Sequence, residues 1–176
     1  RGFDEVLMHG AGGIGQYISG DFEPNTENTY FDNVLLHNDT IVRTKGFCTD
    51  IFFEAALAWI HEQLTGGRGQ ESGQADAPYF AYVSLNAPHG PFIAPESYKK
   101  RFLDLGYDEK TAGRYGMIEN IDDNFGQMME QLNAWQALEN TLVIFMTDNG
   151  MAMPVIQQGE QRIVPHNAGL RGGKNS

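Results

Sequence analysis

Asp148 and Asn149 stand side by side at the end of a six-residue apolar run, Thr141-Leu142-Val143-Ile144-Phe145-Met146, and are released by Gly150. A carboxylate and a carboxamide both offer oxygen, the ligand type that a hard cation such as Ca²⁺ or Mg²⁺ prefers. In open parallel sheets, ligands and metals gather where strands end at their carboxyl edge. Asx-Gly pairs also recur in turns for conformational reasons, and taken alone a turn is the simpler reading of this pair. His89 follows a second apolar run, Tyr79 to Asn86, inside Ala87-Pro88-His89-Gly90-Pro91-Phe92. The two prolines restrict the backbone on both sides, and an imidazole held at a strand end can donate a proton or hold an anion. A loop histidine that merely follows a strand is an equal alternative. Lys174 ends Leu170-Arg171-Gly172-Gly173-Lys174, where glycines allow close backbone approach and an ammonium would neutralise an anionic substrate. By itself it is more simply a solvated loop lysine. Together the three stretches put a possible acid, a hard-metal site and an anion-binding cation on one edge of one sheet.

That placement depends on the elements between them. Both apolar runs have the composition of strands covered on both faces. Asp50 is a good N-cap, and Phe53, Leu57, Ile60 and Leu64 repeat at helical spacing, which predicts a helix over about Ile51 to Leu64. Pro95 to Tyr98 opens a short helix or turn. A long helix is expected from about Thr111, with Ile118, Ile121, Phe125, Met128 and Leu132 as its buried stripe. Asp122 and Asp123 within it read as a solvated face. Helix, strand, helix, strand in that order predicts an α/β fold with a mostly parallel central sheet flanked by helices.

Elsewhere the signals are weaker. The first forty residues read as irregular, apart from a thin strand at Val6-Leu7-Met8. The glycines of Gly10-Ala11-Gly12-Gly13-Ile14-Gly15 lack the strand and helix that a dinucleotide fingerprint needs, so nucleotide binding is rejected. Thr65 to Ala77 contains four glycines among polar residues and reads as an exposed loop. Cys48, the single cysteine, excludes an internal disulfide and reads as a small packed residue near a helix start. The roles of His166 and Asn167 stay open.

A length of 176 residues suits one substantial core, and 41% hydrophobic with 20% charged residues is ordinary for a globular chain. The formal net charge of −11 argues against a nucleic-acid surface, which needs clustered Lys and Arg. No apolar run approaches the length of a membrane span. The chain opens at Arg1 and closes on a loop-like Gly-Gly-Lys-Asn-Ser, so an internal piece of a longer protein is expected.

Read in order, the chain resembles the sulfatase family of the alkaline-phosphatase-like superfamily. The matching stretches are Arg1-Gly2-Phe3-Asp4-Glu5, the glycine cluster after His9, Lys45-Gly46-Phe47-Cys48-Thr49-Asp50 and Ala87-Pro88-His89-Gly90-Pro91-Phe92. Ile121-Asp122-Asp123-Asn124-Phe125-Gly126, Thr147-Asp148-Asn149-Gly150 and Asn167-Ala168-Gly169-Leu170-Arg171-Gly172-Gly173-Lys174 complete the set. The resemblance implies that residues 1–176 are the central part of one catalytic domain, incomplete at both ends. It implies an arylsulfatase-like sulfuric ester hydrolase acting on a sulfated small molecule or glycan. Asp148 and Asn149 would be half of a divalent-metal site, usually Ca²⁺ with Mg²⁺ less favoured. His89 would contact the sulfate and protonate the leaving alcohol, and Lys174 would bind a sulfate oxygen. Phosphoryl-transferring relatives tend to carry histidine where Asn149 stands, so the asparagine leans toward sulfate. The family's nucleophile is a formylglycine made within Cys-x-Pro-Ser-Arg (or its Ser form). Cys48 precedes Thr49-Asp50-Ile51 and is not that residue, so the nucleophile and the other acidic ligands are expected upstream of Arg1. A periplasmic or secreted location follows from the resemblance only. A phosphodiesterase or phosphonate hydrolase of the same superfamily, and a non-catalytic calcium-dependent glycan-binding module, are the alternatives.

Overall fold

The computed structural model describes residues 2–10, 14, 22, 29–66, 78–151, 156–163 and 174. Three helices carry the architecture. α1 (Cys48–Thr65) begins one turn earlier than its hydrophobic spacing predicts. Its N-cap is Phe47, which makes no side-chain cap bond, so the expected capping role of Asp50 is corrected. Asp50 lies instead in the first turn, where a carboxylate complements the helix dipole. Its Oδ1 accepts from Asn120 Nδ2 and Asn124 Nδ2, each at 2.7 Å. At the other end Gly66 adopts φ 72, and its N–H donates to the carbonyl of Glu62, a left-handed close that glycine takes without a Cβ penalty.

α2 (Glu96–Asp104) and α3 (Glu109–Ala134) are joined by a four-residue link, Leu105 to Asp108. Asp108 stops that link and starts α3, because its Oδ1 accepts from the N–H groups of Lys110 and Thr111 at 3.0 Å each. The buried face of α3 includes Met117, Ile121 and Leu132. Ile118, expected in that stripe, is 43% exposed and faces out.

α1 and α3 share two apolar clusters. One gathers Tyr30, Leu35, Phe47, Phe52, Met117 and Ile121, with Val83, Leu85 and Phe92 packed on it. The other joins Ile60, Leu132 and Ala137, with Tyr79 and Val143 against it. Each large core side chain taken from water stabilises by about 1.5–3 kcal/mol before entropy is counted.

The sheets differ from expectation. β1 (Leu7–Met8), β2 (Val34–His37) and β3 (Thr40–Arg43) form an antiparallel three-stranded sheet in that order. β2 and β3 are a two-residue hairpin, with His37 opposite Thr40 and Asn38 at φ 53 in the turn. Two apolar runs split by Asn38-Asp39 are a hairpin signal, and the reading of this stretch as irregular is corrected. β4 (Ile156–Gln158) and β5 (Gln161–Ile163) form a second antiparallel pair.

The mostly parallel central sheet is not formed among the described residues. The two segments meant to build it, 79–86 and 141–146, make no ladder there. Tyr79, Val83, Leu85 and Val143 pack onto the helical clusters. Phe80 (70% exposed), Tyr82 (69%), Leu142 (85%), Ile144 (71%) and Met146 (78%) face outward. The expectation that both segments are covered on both faces is therefore corrected: each packs through some of its side chains and leaves the others in solvent. The two segments do meet, with the Tyr79 hydroxyl 3.3 Å from Thr141 Oγ1, but no strand ladder forms between them.

Candidate active site

His89 is the best-defined of the candidate residues. Its backbone N–H donates to the carbonyl of Asn86 at 2.9 Å, across the cis Ala87–Pro88 bond. Its carbonyl accepts from the hydroxyl of Tyr30 at 2.6 Å. The ring is held too, with Nδ1 at 2.8 Å from the carbonyl of Gly90. A carbonyl can only accept, so that contact places a hydrogen on Nδ1. Nε2 is therefore the nitrogen free to take up or release a proton, on a side chain exposed to solvent.

The His89 loop rests on α3 through glycine. A Cβ at Gly113 would lie 2.1 Å from the Phe92 carbonyl oxygen, so only glycine permits that approach. Lys110 Nζ sits 5.8 Å over the Phe92 ring and adds a cation–π contact on the same side. One turn along, Gly116 receives Ala94, whose Cβ would be 3.0 Å from an added Cβ. The sequence reading missed Tyr30, Gly113 and Gly116. The Gly113/Gly116 spacing of three was a usable sign of close helix approach, whereas Tyr30 carried no local signal at all.

Asp148 and Asn149 occupy an exposed turn beyond Met146. Asn149 Nδ2 donates to Asp148 Oδ1 at 2.7 Å, and Thr147 Oγ1 donates to the Asn149 carbonyl at 3.0 Å. The amide nitrogen is thus committed, and Asp148 Oδ2 and Asn149 Oδ1 stay without partners among the described residues. Lys174 is exposed, and its backbone N–H donates to the Met151 carbonyl at 3.2 Å. That bond brings the lysine's backbone next to the segment that follows Asn149. Among the described residues no hydrogen bond joins His89 to Asp148, Asn149 or Lys174. His166 and Asn167 lie outside the described residues, as do most of the Gly10–Gly15 cluster and positions 67–77.

The chemistry of the Asp148–Asn149 pair fits a hard cation in kind, since its two unpartnered atoms are both oxygens. It falls short in number, because Ca²⁺ takes roughly six to eight oxygen ligands. No group of three or more His, Cys, Asp or Glu among the described residues is placed to hold a metal. A cleft of about 220 Å³ is lined by Asp50, Glu54, Tyr98 and Asn124, and none of the four candidate residues lines it.

Cys48 is buried at 1% exposure, and burial pushes its thiol up to about 12. It is no nucleophile at neutral pH. Because the folded value lies above the ordinary 9.0, its contribution to stability is complete below about pH 9 and is lost as pH rises toward 12. A thiol-alkylating reagent at pH 8 should therefore leave Cys48 unmodified in the folded protein and label it only in denaturant, as read by intact mass.

The family model described as Sulfatase matches residues 1–174. The chain belongs to the sulfatase family. It is 27% identical to the uncharacterized sulfatase YdeN of Escherichia coli (strain K12), over 92% of this chain and 25% of that protein. It is 31% identical to human N-acetylgalactosamine-6-sulfatase, over 60% of this chain and 17% of that one. Among solved structures it overlays on Ps i-CgsB in complex with k-i-k-neocarrahexaose, with a TM-score of 0.57 and 26% identity. That overlay covers 67% of this chain and 24% of the other. The chain thus spans about a quarter or less of each of these sulfatase-like relatives. No described helix is long and apolar enough to cross a membrane.

Proposed function

We propose that the whole protein is a metal-assisted sulfuric ester hydrolase acting on a sulfated glycan, with His89 as the acid for the leaving alcohol and Lys174 as a sulfate-binding cation. The observation that carries this reading is the His89 ring, whose Nδ1 is committed to the Gly90 carbonyl and whose Nε2 is left for proton transfer. As the sulfuryl group passes to the nucleophile of the full-length protein and its bond to the bridging oxygen breaks, the doubly protonated ring delivers its Nε2 proton to that oxygen; the sugar departs as a neutral alcohol and the ring is left as the Nδ1–H tautomer. The Lys174 ammonium offsets negative charge on the non-bridging sulfuryl oxygens. A divalent cation held in part by the oxygens of Asp148 and Asn149 would polarise those same oxygens when bound. The amide oxygen of Asn149 contributes to such a site without adding charge. A saccharide substrate is supported by the similar proteins, whose names include N-acetylgalactosamine-6-sulfatase, an ulvan-active sulfatase of Formosa agariphila, and the complex with a neocarrahexaose.

The full-length protein should release inorganic sulfate from a sulfated sugar, lose that activity on chelation, and recover it with added Ca²⁺. The matching phosphate ester should turn over at least about 10-fold more slowly. Faster turnover of the phosphate ester would overturn the sulfatase reading.

A further inference from the structure

Tyr30 is fully buried, at 0% exposure, although it lies 59 residues before His89 in a polar stretch. Its ring stacks on Phe47, with centroids 5.8 Å apart and planes at 24°, and Phe31 packs against Phe47 at 5.1 Å. Its carbonyl accepts from the N–H of Cys48 at 2.8 Å, which fixes Tyr30 to the first turn of α1. The ring can therefore shift little, and its hydroxyl is aimed out of the core at one loop. A buried phenol normally finds a partner. Here the partner is the carbonyl of His89 itself, at 2.6 Å.

The remaining contacts of the loop act on atoms other than that carbonyl. Asn86 holds the N–H of His89, Gly90 holds the ring nitrogen, and Gly113 of α3 receives Phe92. Among the described residues the Tyr30 hydroxyl is the one group bonded to the His89 carbonyl. That carbonyl belongs to the peptide plane leading into Gly90, whose own carbonyl accepts from Nδ1. Rotation of that plane changes ψ of His89 and φ of Gly90, the torsions that set the Gly90 carbonyl against the ring, so fixing the plane restrains the Nδ1 contact.

We propose that Tyr30 is the positioning residue for His89: its hydroxyl clamps the His89–Gly90 peptide plane, and so keeps the imidazole in the Nδ1–H form with Nε2 turned to the substrate side. Tyr30 touches no substrate and acts wholly through the loop. Burial raises the phenol well above its ordinary value, so the hydroxyl stays protonated and remains a donor across the working pH range. The inference rests on the proposed acid role for its catalytic consequence, and on geometry alone for its effect on the ring.

The test uses the full-length protein and Tyr30→Phe, which deletes the hydroxyl and keeps the ring in the aromatic stack. Histidine-selective ¹⁵N labelling, with His89→Gln to assign the signal, reads the ring directly. The wild-type protein should show the Nδ1–H tautomer at neutral pH, and Tyr30→Phe should show a mixture of both tautomers. Activity supplies the second readout. Tyr30→Phe should lower kcat on an unactivated sugar sulfate by roughly 10-fold, and on an activated aryl sulfate by less than about 3-fold, with KM little changed. An unaltered tautomer in Tyr30→Phe overturns the inference, and so does an equal loss on both esters. The acid reading fails separately, if His89→Ala loses both esters equally. The tautomer measurement then still decides whether Tyr30 positions the ring.

Discussion

Replacing His89 with Ala in the full-length protein is expected to cut turnover of a sugar sulfate by roughly 10²–10⁴-fold, the range for loss of a positioned general acid. That range corresponds to about 2.7–5.4 kcal/mol of transition-state stabilisation. The loss should depend on the leaving group. A sugar alkoxide is strongly basic and needs its proton as the bond to sulfur breaks, whereas an activated phenolate leaves without one. In the proposed mechanism Nε2 is the donor, since Nδ1 already donates to the Gly90 carbonyl at 2.8 Å. The measurement is kcat/KM for one unactivated and one activated ester in wild type and variant. A parallel fall on both would place His89 in binding and not in proton transfer.

Gly113→Ala should be the most damaging small change in α3. The added methyl would sit 2.1 Å from the Phe92 carbonyl oxygen, and neither backbone can yield without moving the other. Overpacking of this kind costs about 1–3 kcal/mol. The loop that must move also carries His89, so activity should fall along with melting temperature. The same substitution at Gly126, on the same helix, meets nothing within 4 Å. There it should stabilise by about 0.5–1 kcal/mol, through helix propensity, and leave turnover unchanged. Opposite signs from one chemical change on one helix separate loop seating from helix propensity. Equal melting temperatures for the two variants would remove the seating argument.

Much of the helical layer was legible before any coordinates. Phe53, Leu57, Ile60 and Leu64 gave away α1, and Ile121 and Leu132 gave away the buried side of α3, because helical period is a local property of the sequence. Asp50 shows where local reasoning stops. A carboxylate near a helix start is the usual signature of a cap, yet its oxygen is claimed by Asn120 and Asn124, seventy and more residues away. The hairpin at Val34–Arg43 does carry a local signal, two apolar runs on either side of Asn38-Asp39. The composition of the two apolar segments at 79–86 and 141–146 is that of central strands. Pairing is not local, and among the described residues these segments enter no ladder. At the candidate site, the proline-flanked position singles out His89 as a candidate, but its tautomer follows only from the Gly90 carbonyl. Tyr30 could not be found from sequence, because its importance lies wholly in where its hydroxyl ends.

The outward faces of Phe80 and Tyr82, and of Leu142, Ile144 and Met146, carry a practical consequence for handling this span by itself. Uncovered side chains beside backbone that makes no ladder are the usual seed for sticking between molecules. The net charge of −11 opposes that association at long range and weakens as salt screens it. Prepared alone, these 176 residues would therefore be colloidally fragile, and more so in concentrated salt. Their solubility would thus be set as much by ionic strength as by the fold.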